Sequence, residues 1–193
     1  FARKWLIPAL MLGPLTAVLT AVLIIITGGT IVWEYGLPPP MIVPIFLLLF
    51  VTNALPEEYG WRGYALEPLQ NKFNALGASL ILGVIWAMWH LPLFFIEGST
   101  QQAIPLYQFV LQTMLLAILY TWLHNNTGGS VLIVALFHTA SNVAAAAVPF
   151  WTIALGRWLN FSLLFMLVGL IVWCWGWRWL ARDEEQTAVS RHI

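Results

Sequence analysis

Charge is what this chain lacks. Asp, Glu, Lys and Arg make up only 8% of its 193 residues, where a soluble domain carries about 25%. That shortage excludes an ordinary soluble globular protein. The few charges cancel to a formal net of zero, so there is no basic footprint for nucleic acid. There is one cysteine, Cys174, which rules out an intramolecular disulfide. Lying in an apolar run, it reads as a small core hydrophobe. Internal repeats, low-complexity stretches and composition shifts that would mark a second domain are absent. The chain also starts at Phe1 without a methionine, which suggests further sequence N-terminal to it. The first apolar run is too long for a signal-peptide core and has no small-residue cleavage site, so it reads as a true span.

What the chain has instead is apolar length. Hydrophobic residues make up 61% of it, with twelve tryptophans. Apolar runs of this length predict an all-α, polytopic transmembrane helical bundle. About six spans are expected, at Trp5–Val32, Met41–Leu55, Ala75–Phe95, Pro105–Leu123, Val131–Val148 and Trp158–Leu180. Residues 57–74 mix polar and apolar positions and read as an amphipathic interfacial helix. Met41–Leu55 is short for a span, and Pro56 is expected to end it inside the membrane, leaving a cavity open to the cytoplasm. His124–Ser130 reads as a tight polar turn, with Ser130 a helix cap and His124 solvated. With six spans, Arg3, Lys4, Arg62, Lys72, Arg178, Arg182 and Arg191 fall on one side and Arg157 on the other. The positive-inside rule then puts both ends in the cytoplasm. Residues 1–180 are expected to form a single transmembrane domain, followed by a polar cytoplasmic tail, 181–193.

Against this background the ionisable residues at membrane depth stand out: Glu57, Glu58, Arg62, His90 and His138. Such groups are costly in a bilayer and mark functional sites by default. Each has a companion at helical spacing. Glu58 and Arg62 are four apart and can pair, and Trp86–His90 and His138–Asn142 each share a helix face. Taken singly, each has a plain explanation: a packed histidine, a solvated carboxylate patch, an arginine anchor. Occurring together in so uncharged a chain, they point to one site.

Glu57-Glu58-Tyr59-Gly60-Trp61-Arg62 fits Glu-Glu-x-x-x-Arg. Trp86-Ala87-Met88-Trp89-His90 fits Phe/Trp-x-x-x-His, and His138-Thr139-Ala140-Ser141-Asn142 fits His-x-x-x-Asn. In this order, over about 47–148, the chain resembles the CPBP family of intramembrane proteases, which includes type II CAAX prenyl proteases and abortive-infection or bacteriocin-immunity proteins. The resemblance implies that Glu57 and His90 activate a water for attack on a peptide carbonyl. It implies that His138 and Asn142 stabilise the oxyanion, and that Glu58 and Arg62 orient the first glutamate or the substrate. A tetrahedral intermediate needs fixed donors in a water-poor site, and a histidine N–H and an asparagine amide supply them.

No cofactor is expected on this reading. The residues leave a zinc alternative open, with Glu57, His90 and His138 as ligands and one open position. The expected partners are a peptide or protein substrate at the membrane and the lipid bilayer, with room for a larger membrane complex. The expected location is a bacterial inner (plasma) membrane. A non-enzymatic immunity or complex subunit that retains the motif residues is the main rival. A proton or solute transporter would show paired broken spans or internal symmetry, and neither is present.

Overall fold

The computed structural model describes residues 3–182; the expected tail from 183 onward, with Arg191 and His192, lies outside the described residues. The protein is all-α, and no strand occurs among the described residues. Four segments are long and apolar enough to cross a membrane: Arg3–Ile26, Trp33–Phe95, Leu106–Asn125 and Ala154–Trp175. Val131–Ala147 is apolar but shorter. Large apolar side chains are exposed along these helices, among them Ile7, Val18, Leu47, Val51, Phe165 and Leu170. In water that surface would be a liability, and in lipid it is the expected exterior. This is an integral membrane protein.

The helices are α1 (Leu6–Ile26), α2 (Ile42–Leu49), α3 (Leu55–Gly60), α4 (Leu66–Trp89), α5 (Leu106–Asn125), α6 (Val131–Ala147) and α7 (Ala154–Trp175). Two of the expected spans, Met41–Leu55 and Ala75–Phe95, lie in one 63-residue stretch. Pro56 does not end the second span. A π turn over Phe50–Ala54 closes with the Leu55 N–H donating to the Phe50 carbonyl. α3 restarts directly after it with Pro56 in its first turn, where a missing N–H is harmless. A second π turn, Trp61–Ala65, follows Gly60. The Glu57–Gly60 segment is therefore bracketed by two wide turns, a feature common at functional sites.

The interruption comes at Asn74, inside α4, with φ 60° and ψ 174°. Its Oδ1 accepts from Gly77 N at 3.0 Å. The next N–H groups, of Ala75 and Leu76, donate to the carbonyls of Arg178 (2.9 Å) and Trp177 (3.1 Å). Each donor freed by the break thus finds an acceptor. The 57–74 stretch is less interfacial than expected, because Glu58, Arg62 and Leu66, four apart, are all buried. Glu58 and Arg62 are turned inward, while Glu67, Asn71 and Lys72 remain exposed. Arg62 therefore does not belong in a tally of surface charges.

The residues group into two compact units. The first comprises, among the described residues, 3–59 and 130–163. In it α1 presents a buried stripe of Ala9, Gly13, Ala17, Ala21 and Ile24 and packs on α6. A Cβ on Gly13 would lie 2.6 Å from the Ser141 Cα, so only glycine permits this approach. Ala17, Ile24, Ala144 and Phe150 cluster behind it, and Asn160 Nδ2 donates to Thr20 Oγ1 at 2.9 Å. Ser130 caps α6, accepting from Ile133 N at 3.4 Å.

The second unit comprises, among the described residues, 60–129 and 164–182. Here α4 packs on α5, Gly83 lies against Met114, and Leu66, Ala78 and Leu82 cluster. Three expectations are corrected in this unit. α5 runs through Asn125, which puts His124 half-buried in its last turn. Asn125, Asn126 and Thr127 are buried too: the asparagine amides serve tertiary contacts, and the Thr127 hydroxyl donates back to the Leu123 carbonyl at 2.8 Å. Asn126 Nδ2 donates to the carbonyls of Trp122 (2.7 Å) and Leu180 (2.6 Å). Asn125 Nδ2 donates to Gln70 Oε1 (2.7 Å) and the Trp179 carbonyl (2.8 Å). The last helix ends at Trp175, not Leu180, since Gly176 turns the chain at φ 72°. Trp177–Leu180 then supplies carbonyls to the Asn74 break and to these asparagines. Cys174 is exposed, not core.

Candidate active site

In the first unit the structure gathers four of the polar side chains. His138 Nδ1 lies 2.9 Å from Glu58 Oε1, with both residues buried. A carboxylate accepts, so Nδ1 is the donor in this pair. The sequence reading pairs Glu58 with Arg62; the structure gives Glu58 a partner 80 residues away on α6. Glu57, half-buried, accepts from Asn53 Nδ2 at 2.6 Å. Asn53 Oδ1 in turn accepts from Asn142 Nδ2 at 3.3 Å.

His138 and Asn142 share α6 but differ in setting. His138 is sealed in with Glu58, whereas Asn142 is exposed and is linked to Glu57 through Asn53. Asn53 is the residue that sequence reasoning missed. The signal was present, since it stands four before Glu57 in a run whose other polar side chain is Thr52. A search confined to ionisable groups passes over an amide.

In the second unit Arg62 and His90 meet at Trp86. The buried Arg62 guanidinium stands 5.3 Å from the Trp86 ring centroid and 4.7 Å from that of Tyr120, within cation–π range. His90 closes α4 and holds its Nδ1 2.9 Å from the Trp86 carbonyl. A carbonyl accepts, so Nδ1 is the donor here too. Trp86, Trp89 and Phe109 surround the imidazole at centroid distances of 5.9, 5.0 and 5.4 Å. The aromatic motif position is thus both a wall for His90 and a platform for Arg62.

Each histidine engages Nδ1 in the contact described, and Nε2 is the nitrogen through which such a ring can act on a proton or a metal. Among the described residues, no three His, Cys, Asp or Glu side chains are grouped so as to hold a metal ion. The chemistry on offer is a carboxylate tied to an amide and an amide donor at the surface of α6 in the first unit, and an imidazole walled by aromatic rings in the second.

Comparison with known proteins bears on the same stretch. The family profile for "Type II CAAX prenyl endopeptidase Rce1-like" matches residues 39–144, over half the chain and all three motifs. The chain belongs to this family. A curated relative, CAAX prenyl protease 2 of Methanococcus maripaludis, is 33% identical over 107 residues. The match covers 52% of this chain and 39% of that protein, so the chain accounts for well under half of its relative's length. The CAAX-protease membership agrees with the resemblance read from Glu57–Arg62, Trp86–His90 and His138–Asn142.

Proposed function

We propose that this chain is an intramembrane endopeptidase that hydrolyses a peptide bond with a water activated by Glu57 and His90. The observation that carries the reading is the family match, which contains all six motif residues. Glu57 and the Nε2 of His90 take the proton from water, and the resulting hydroxide attacks the carbonyl carbon. Negative charge then develops on the carbonyl oxygen. Asn142, which needs one N–H for Asn53, has a second to offer that oxygen. His138 can donate from Nε2 only when its ring carries both protons, and the buried Glu58 carboxylate supplies the counter-charge for that form. Collapse of the intermediate breaks the C–N bond, and the departing amine takes the proton held by the Glu57–His90 pair.

The proposed substrate class follows the relatives' names: a prenylated protein C-terminus of the Cys-aliphatic-aliphatic-X type. We propose metal-independent glutamate catalysis, with Glu57, His90 and His138 as the ligand set that a zinc enzyme would use instead. We also propose that the protein sits in the plasma membrane with both ends cytoplasmic. With Arg62 buried, Arg3, Lys4, Lys72, Arg178 and Arg182 still outnumber Arg157.

The test is cleavage of a quenched-fluorescence farnesylated CAAX peptide by the purified protein in detergent. Glu57→Ala and His90→Ala are expected to abolish turnover while melting like the wild type. EDTA or phenanthroline is expected to leave the rate unchanged. Full activity in folded Glu57→Ala would defeat the mechanism, and loss of activity on chelation with recovery on added zinc would replace it with the metal one.

A further inference from the structure

The apolar run before the glutamate pair carries two polar side chains, Thr52 and Asn53. They are satisfied in different ways. Thr52 Oγ1 folds back onto the Leu48 carbonyl at 2.8 Å, the usual local solution for a hydroxyl in a helix. Asn53 reaches outward from the π turn Phe50–Ala54, which packs on α6, and its amide has a partner at each arm. The orientation follows from the partners. Glu57 is a carboxylate and takes the amino arm at 2.6 Å, which leaves the carbonyl arm to accept from Asn142 at 3.3 Å.

We propose that Asn53 is a positioning residue for the reaction. Its N–H fixes the Glu57 carboxylate and its carbonyl fixes the Asn142 amide, so base and oxyanion donor are held in one register by a single planar group. This rests on the reading of Glu57 and Asn142 as reacting groups. Asparagine suits the task because one side chain offers a donor and an acceptor a short distance apart. Aspartate has the same shape but no donor, and it would set a second carboxylate against Glu57. Leucine has neither function. A misplacement of about 1 Å in such a pair can lower turnover about 100-fold.

The test compares Asn53→Ala, Asn53→Asp and Asn53→Gln for cleavage of the same farnesylated peptide. The expected result is a kcat reduced about 10- to 100-fold in Ala and Asp with KM within about twofold, and partial recovery in Gln. A packing role predicts the reverse order, since Asp is isosteric and Gln is not. Asp near wild type, or Ala at full kcat, overturns the proposal. If Glu57→Ala also cleaves normally, the catalytic reading falls with it; if Glu57→Ala is dead and Asn53→Ala is fully active, only this inference falls. A readout independent of any substrate is the infrared carboxylate band that disappears in Glu57→Gln. It is expected to shift in Asn53→Ala, and an unmoved band overturns the proposal whether or not the peptide is cut.

Discussion

Glu58 and His138 offer the sharpest test of how the motif residues are held. Glu58→Ala removes the acceptor 2.9 Å from His138 Nδ1 in a place where neither residue meets solvent. Removing one partner of a buried ion pair costs about 3–5 kcal/mol when the other charge is stranded. A histidine need not be stranded, because it can shed a proton and leave only an unsatisfied ring nitrogen, which costs about 1–3 kcal/mol. The lower range is therefore expected. Glu58→Gln keeps an acceptor of the same reach and should cost about 1 kcal/mol or less. Activity should part company with stability. On the proposed mechanism Glu58 is the counter-charge that lets His138 serve the oxyanion, and losing one such donor lowers turnover about 100- to 1000-fold. Glu58→Gln is thus expected to be folded but nearly inactive. The assay is a double-mutant cycle of Glu58→Ala and His138→Ala, read by reversible unfolding in mixed detergent micelles, with kcat measured alongside. A coupling below about 0.5 kcal/mol, the limit of simple additivity, would refute the pairing. A Glu58→Gln enzyme with wild-type kcat would refute the counter-charge.

Two further substitutions test the frame around the site. Gly13→Ala places a Cβ 2.6 Å from the Ser141 Cα, between His138 and Asn142 in sequence, and should destabilise by about 1–3 kcal/mol and lower cleavage. Gly169→Ala, with nothing within 4 Å, should be neutral in both, and equal melting temperatures for the two variants would contradict the close approach. Asn126→Ala removes the donor shared by the Trp122 and Leu180 carbonyls, and should destabilise by about 1–3 kcal/mol. Faster proteolytic clipping near 177–182 is the check, and unchanged clipping would show that the asparagine does not anchor that segment.

How much of this was legible in the sequence depends on what kind of signal each residue gives. The helices were legible because apolar runs of span length have few other uses. The break near residue 74 was legible for the same reason, as the point where Lys72 and Asn74 give way to Ala75. Pro56 misled because a proline signals a missing donor, not whether a π turn has already arranged for its absence. Asn125 and Asn126 misled because Asn-Asn-Thr-Gly-Gly is turn chemistry on its face, while their amides are spent on carbonyls more than fifty residues away.

The motif residues lie between these cases. Scarcity of charge made Glu57, Glu58, Arg62, His90 and His138 conspicuous, but scarcity cannot assign partners. In water, burial sorts residues by polarity, so a sequence hints at which face turns inward. In lipid both faces of a helix are apolar, which is why Cys174 could be taken for core and proves exposed. The inward face of α1 is marked instead by size, as the run of Ala9, Gly13, Ala17 and Ala21. That stripe brings α1 against Ser141 and leaves α6 its turn toward Glu58 and Asn53. The pairing of the catalytic candidates within this unit therefore depends on residues that carry no chemistry at all.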